Sequence, residues 1–462
     1  MSSLPFIMGE VSSEVLQDAS GNPVLVVVGR HNAGSPNTPD TDYATMILNI
    51  TSNTWYRSPA NRSYPADHMA GGAINNKMLV VGGFVGPGQA QAAGVLQIYD
   101  PVADTWTLGA PCPVASAAGG SAVVNGSLYY CGGVNKGGSL PPVKDCARYD
   151  MDTNNWTSIA PMPYAVHHPS MGTDGERLYV FGGRTSSGNS VLGPVDYTQI
   201  YDIASGTWSA NYTRLPERRG GMGAAILHGG RLHVFGGETR CSTFRLTCPN
   251  ATVGIDDEGV FTRIDRYDPA TDSWDLADPG MAVPRHGIWP TLGPAPPGAP
   301  GAAGPSPVVY VCAGGDLGGR WGNVEACQYM TFDNDATTPQ VPLPAPPNPD
   351  TRSAADADAP PPVPGFQSGE EAGRPPAAPQ GPSGEPAPLP LPGRAPPPPQ
   401  APAGSAEAQP NRTINAGNVS VIELLRSGDA EVPRVSIMHL HWAALAWGLL
   451  LLAQLLKQLL GS

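Results

Sequence analysis

Two histidines, His68 in "ADHMAGG" and His168 in "AVHHPSMG", each stand 14 residues ahead of a glycine pair and so hold equivalent positions. The connections entering comparable strands carry Arg218 and Arg219 in "ERRGGMG", and Arg285 with His286 in "VPRHGIW". Imidazole and guanidinium groups ringing one channel mouth would make a pocket for an anion or a sugar. The same side chains can instead donate to loop carbonyls and tie neighbouring elements together; the sequence leaves both readings open. No other constellation suggests a reaction. The chain has no phosphate-cradling P-loop, no dinucleotide fingerprint, no Gly-X-Ser-X-Gly elbow and no His-Glu-X-X-His. It has no Cys-X2-Cys pair for zinc, and the acidic run at 256–258 reads as a solvated loop. No catalytic residue, metal or cofactor is expected.

The elements that must position these side chains repeat. "GERLYVFGGR" at 175–184 is rich in aromatic and β-branched residues and reads as a strand ending in crowded backbone. Glycine pairs close such strands at Gly82-Gly83, Gly132-Gly133, Gly182-Gly183, Gly236-Gly237 and Gly314-Gly315, with Gly29-Arg30 as a weaker first instance. Downstream come Tyr99-Asp100, Tyr149-Asp150, Tyr201-Asp202 and Tyr267-Asp268, then Trp55, Trp106, Trp156, Trp208 and Trp274 in turn-like contexts. The tryptophans are 51, 50, 52 and 66 residues apart. A period near fifty without helical patterning predicts modules of about four strands. Such modules bury both faces only by packing on one another around an axis.

The glycine pair, Tyr-Asp and Trp at this spacing resemble the kelch repeat over roughly residues 5–335. The resemblance implies an all-β, six-bladed kelch-type β-propeller occupying 1–336, with five clear copies and a degenerate one. The fifth copy carries an insertion, "ETRCSTFRLTCPNATVGIDDEGVF", between its second and third strands, and Arg240, Phe244 and Arg245 within it are candidate recognition residues. The sixth carries "GPAPPGAPGAAGPSP" in its first hairpin and lacks a Trp. Its outer strand is expected from 337–344 or from residues upstream of Met1, because "SSLP" resembles the end of a Trp strand. Some propellers of this kind resemble copper oxidases acting on carbohydrates, but no ligand set for that is visible.

Beyond the propeller, 24 of the 72 residues from Pro339 to Pro410 are proline, so 337–410 reads as a disordered, extended stalk. A polar spacer, 411–434, precedes a hydrophobic segment, 435–460, long enough to span a bilayer as a helix. Small residues at 427–430 followed by a spacer and that segment also fit a glycosylphosphatidylinositol signal, with Ser427 or Gly428 as acceptor. The net charge of −13 and the lack of basic clusters argue against nucleic acid as a partner.

The first residues show no secretory leader, which alone favours the cytosol. Eight Asn-X-Ser/Thr acceptors (Asn49, Asn61, Asn125, Asn155, Asn211, Asn250, Asn411 and Asn418) point outward instead. Chance would give roughly two or three. Cys131 with Cys146, and Cys312 with Cys327, share a separation of 15 and fall on adjacent strands; Cys241 and Cys248 bracket a short loop. Three local disulfides and an oxidising compartment follow, with Cys112 left over. The leader and the closing strand are then expected upstream of Met1. The leading expectation is a membrane-held, cell-surface protein binding a protein or glycan through its loops. A cytosolic tail-anchored adaptor and a secreted oxidase resembling galactose oxidase are the alternatives. Titrating thiols in denatured, unreduced protein should find one per chain; seven would remove the disulfide reading and the compartment with it.

Overall fold

Two of the second strands, KMLVV at Lys77–Val81 and RLYVF at Arg177–Phe181, end in an unbroken apolar run, and RLHVF at Arg231–Phe235 breaks it only at His233. A strand reads that way when both faces are covered. In the computed structural model they are. The structure describes residues 1–30, 43–85, 91–135, 141–187, 193–239, 254–255, 259–277, 280–299, 307–317 and 324–332.

Among these residues there is no α-helix, and the strands form antiparallel sheets in chain order. The first holds Gly9–Gln17, Pro23–Arg30, Met46–Asn49 and Thr54–Arg57. The second holds Ala70–Ile74, Lys77–Val81, Leu96–Asp100 and Thr105–Leu108, and the third Gly120–Val124, Ser127–Cys131, Cys146–Asp150 and Asn155–Ile159. The fourth is built on Ser170–Thr173, Arg177–Phe181, Thr198–Asp202 and Thr207–Ser209, and the fifth on Ile226–His228, Arg231–Phe235, Ile264–Asp268 and Ser273–Ala277. A sixth shows three strands among the described residues: Thr291–Pro294, Pro307–Cys312 and Cys327–Thr331. "RLYVF" is thus a second strand, as the repeat predicts.

Alternate residues of each second strand point to opposite neighbours. Met78 and Val80 pack with Val24, Val26 and Val28 of the preceding sheet, while Leu79 and Val81 pack with Leu128 and Tyr130 of the following one. The last sheet completes the series, since Val308 and Tyr310 pack on Leu25, Val27 and Leu48 of the first. In the outer hairpins Tyr99, Tyr149, Tyr201 and Tyr267 stand directly opposite Trp106, Trp156, Trp208 and Trp274. Their ring centroids lie 5.0–5.1 Å apart. Three of these indoles reach back to the chain leaving the previous sheet, Trp156, Trp208 and Trp274 donating to the carbonyls of Ala110, Ala160 and Thr213, while Trp106 donates to the Thr45 hydroxyl. Trp55 donates to Ser2 O, and Leu4 N–H donates to Glu325 O, so "SSLP" does occupy the place of a strand exit.

The glycine pairs are required sterically. Gly132 and Gly133 have φ of 74° and 95°, and a Cβ on Gly133 would lie 2.5 Å from Ala117 O of the neighbouring connection. Gly83, Gly183 and Gly237 face carbonyls in the same way. The last repeat departs from the expected register. Ala313 and Gly314, with φ of 61° and 92°, hold the two positive-φ places there, and Gly315 takes the residue after the pair. Cys312 stands where Cys131 does, one residue before, so the pair is Ala313-Gly314 and not Gly314-Gly315. Cys131 and Cys312 lie opposite Cys146 and Cys327, with Cα atoms 4.2 and 4.0 Å apart, and both pairs are joined as disulfides. Cys112 is a buried free thiol, which burial pushes up to about 12.

The expected insertion loops leave opposite ends of the strands. The long connection after Glu238 departs where chains enter the first strands, whereas that between Pro294 and Pro307 joins the far ends of a first hairpin. Arg240, Phe244, Arg245, Cys241, Cys248, Asn250, Asn411, Asn418, Ser427, Gly428 and the segments 337–410, 411–434 and 435–460 lie outside the described residues. Among the described residues no helix is long and apolar enough to cross a membrane.

Gly133→Ala should lower unfolding stability well beyond Gly126→Ala, measured by denaturant titration. Gly126, at φ 73°, has open space around it, so Ala there adds only the left-handed backbone strain of about 1–2 kcal/mol. Equal losses would show that φ alone explains the pairs.

Candidate functional site

The chain enters each first strand through one backbone residue in the left-handed region: Glu10, His68, Ala118, His168, Gly221 and Gly287, with φ from 49° to 80°. That conformation turns N–H and C=O along a common circle. His68 N–H donates to Glu10 O (3.4 Å), Ala118 to His68 O (2.8 Å), and His168 to Ala118 O (2.6 Å). Gly221 donates to His168 O (2.9 Å) and Gly287 to Gly221 O (2.8 Å), and Val11 N–H returns to Gly287 O (3.2 Å). Six sheets are stitched at their inner ends by a closed loop of backbone hydrogen bonds. A second tie joins the same partners, as Gly83, Gly133, Gly183, Gly237 and Gly314 donate to Ser116, Val166, Arg219, Arg285 and Met8 carbonyls.

Three ring positions carry side chains with donor or acceptor atoms, and these converge. Ligating atoms of Glu10, His68 and His168 all lie within 4.8 Å of one another, beside a cavity of about 30 Å³ also lined by Gly221 and Gly287. His68 Nδ1 sits 2.7 Å from Asp67 Oδ1, and its Nε2 is 3.5 Å from Glu10 Oε2. His68 and His168 meet edge to face at 5.1 Å. His167 Nδ1 lies 2.5 Å from His168 Nδ1, and His167 Nε2 is 3.1 Å from Ser186 O. His286 Nε2 contacts Leu317 O at 3.0 Å, leaving Nδ1 3.3 Å from Glu238 Oε1 and 3.8 Å from Glu10 Oε1. Glu238 also holds the buried Arg184.

Burial and the Arg184 charge hold His167 and His168 well below the ordinary imidazole value. Burial also opposes charge on His68, but Glu10 and Asp67 outweigh it and raise its pKa. The cluster thus favours neutral imidazoles on one side and a positive charge beside the carboxylates on the other.

The sequence-derived candidates divide. His68 and His168 do occupy equivalent positions, and His286 joins them from one residue before the ring. Arg219 and Arg285 sit two residues before it and turn into the sheets. Buried Arg219 binds Asp265 Oδ2 (2.5 Å) and Gly236 O (2.8 Å). Arg285 donates to Val311, Ala313 and Ala326 carbonyls (3.1, 3.3 and 2.9 Å), and burial lowers it to about 10. Arg218 is exposed and pairs with Asp196 at the surface, away from the histidines. The arginines tie elements together, while His68 and His168 line the cavity and His286 stands beside Glu10 and Glu238. Of the acceptor asparagines, Asn61, Asn125, Asn155 and Asn211 are exposed and Asn49 is half-buried.

Glu10, Asp67, Arg184 and Glu238 were not among the sequence candidates. A signal for Glu10 existed. Leu4, Arg62, Cys112, Met162, Leu215 and Met281 each donate their N–H to the connection of the preceding sheet, and each stands six residues before its ring residue. Aligning on "LP", "CP", "MP" and "LP" would have placed Glu10 with His68 and His168.

A kelch motif is recognised at residues 66–113 and 117–163. The chain is 27% identical over 262 residues to the kelch-like protein terF of Aspergillus terreus, covering 53% of this chain and 52% of that protein. It is 30% identical over 168 residues to human kelch-like protein 38, covering 36% and 28%, and 30% over 149 residues to α-scruin of Limulus polyphemus, covering 31% and 16%. It therefore spans about half of terF and a smaller share of the others. The solved structure of YjhT superposes with a TM-score of 0.53 at 17% identity, covering 72% of this chain and 98% of that one. That likeness shows a shared propeller fold.

Asp265→Ala should destabilise by about 3–5 kcal/mol in chemical unfolding, because it strands two buried guanidiniums, Arg219 and Arg263, without their carboxylate. A loss below about 1 kcal/mol would show that these ion pairs do not hold the sheets together.

Proposed function

Because this chain is a kelch-repeat protein with a β-propeller fold, we propose that it is a six-bladed binding scaffold that recognises a protein or glycan through loops on one face. The observation that carries this reading is the shared exit of the connections between second and third strands. Ala117 with Val134, His167 with Arg184, Gly220 with Glu238, and His286 with Gly315 bridge the start of each such connection to the ring. The described starts of those connections, at Val134, Arg184, Glu238 and Gly315, therefore all lie beside the ring. Loops held by so stiff a frame can present a fixed set of contacts. The backbone ring and the arginine ties beneath supply that stiffness.

The proposed setting is the cell surface, with 337–410 as stalk and 435–460, or a lipid on Ser427 or Gly428, as membrane attachment. Exposed Asn61, Asn125, Asn155 and Asn211 and two strand-to-strand disulfides support it. Full-length protein from a eukaryotic cell should lose mass on glycosidase treatment and be captured by surface-selective biotinylation. Release by a phosphatidylinositol-specific phospholipase would select the lipid anchor over a spanning helix. An unchanged mass together with fully titratable thiols would replace this setting with the cytosolic adaptor. Partner capture should fail when the connection after Glu238 is replaced by a short turn, and survive replacement of the one after Pro294. The reverse pattern would place recognition on the other face.

A further inference from the structure

The hydrogen-bond partners at the ring fix the histidine tautomers. Ser186 O only accepts, so His167 Nε2 carries a proton and, as a neutral ring, its Nδ1 accepts. His168 Nδ1 must then donate to it, which leaves His168 Nε2 as a lone-pair donor. Asp67 accepts from His68 Nδ1, so His68 Nε2 is the nitrogen that faces Glu10, and a cation bound there would take the place of its proton. A carboxylate backing one ring nitrogen while the other faces a site is the arrangement that orients metal-binding histidines. Leu317 O likewise takes the Nε2 proton of His286, whose buried Nδ1 has no hydrogen-bond partner among the described residues and faces the Glu10 and Glu238 carboxylates. At His286 Nδ1 an acceptor faces acceptors, and a positive species between them would relieve the repulsion.

Backbone strain points the same way. A side chain in the left-handed region costs about 1–2 kcal/mol relative to glycine, and such outliers gather at ligand sites. Gly221 and Gly287 show that glycine serves the ring, yet Glu10 and both histidines occupy it with functional groups. The bare positions keep the cavity open; a Cβ on Gly287 would sit 2.8 Å from the Glu10 carboxylate carbon.

We propose that Glu10, His68 and His168 bind one divalent transition-metal ion of the zinc class at the cavity mouth, with His286 Nδ1 closing the site and the loop side left for water or a ligand atom. Two imidazoles and one carboxylate form a donor set suited to Zn²⁺ and its neighbours rather than to Ca²⁺ or Mg²⁺. With Zn–N bonds of about 2.0–2.1 Å the ligand atoms draw to roughly 3.4 Å apart. Glu10 and His68 already stand at 3.5 Å. The site does not depend on the proposed partner binding, which a metal-free variant can be tested for separately.

The test uses the full chain, stripped with a chelator and titrated with zinc chloride by calorimetry and with cobalt chloride by absorption. One equivalent should bind, and the cobalt form should show intense visible bands of a low-coordinate nitrogen and oxygen site. The His68→Ala/His168→Ala double variant should lose at least about 100-fold in affinity, and Asp67→Asn about 10–100-fold through misorientation of His68. Circular dichroism of each metal-free variant controls for folding. If the double variant does not fold, the near-isosteric Glu10→Gln should still lose at least about 10-fold. Absence of binding in the parent protein, or equal affinity in folded variants, would overturn the site.

Discussion

The six inter-sheet backbone hydrogen bonds from Glu10 round to Gly287 are the constraint on which the rest depends. A sheet with two apolar faces is stable only against neighbours. Side-chain packing sets that the sheets approach, but it tolerates sliding. The ring does not, because every acceptor and all but one donor, Val11, belong to one residue per sheet in one unusual conformation. The glycine pairs follow from it. Once the inner connections are pulled onto the circle, their carbonyls press on the ends of the adjacent second strands, where no Cβ fits. The buried arginines sit alongside it, since Arg219 and Arg285, two residues before the ring, donate to carbonyls at the ends of the adjacent strands.

Much of this was legible in the sequence because it rests on local contacts. The strands, the Tyr–Trp hairpin pairs and the glycine pairs recur at one spacing, and each needs only residues within about fifty positions. The Cys131–Cys146 and Cys312–Cys327 pairs were readable for the same reason. The shift from Gly314-Gly315 to Ala313-Gly314 was not, because alanine tolerates a left-handed φ well enough that composition conceals the register. Nor was the division between histidines and arginines. His286 and Arg285 adjoin in sequence, yet one turns to the Glu10 and Glu238 carboxylates and the other to the sheet, a difference fixed by strand pleat and turn geometry. Glu10 escaped notice because its partner His68 lies in another repeat and its own repeat lacks the glycine pair.

Rigidity and chemistry are placed at the same end of the strands. The connections that vary most in length start beside the ring, while the turns of the outer hairpins stay uniform. Variation is therefore concentrated where a bound molecule would meet both the loops and the histidine cluster. The outer hairpins mainly hold the wedges at a constant angle.

The join between the last sheet and the first has a temporal consequence. Ser13 donates to the carbonyl of Trp289, a contact spanning 276 positions, and Gly314 reaches Met8. Individual sheets can assemble as each hairpin leaves the ribosome, but the opening strand must wait exposed until nearly the whole domain has been made. Contacts of such high sequence separation form slowly. The first strand, Gly9–Gln17, is accordingly the edge that chaperones would have to shield during synthesis, and its detachment is the earliest event to expect when the finished protein unravels.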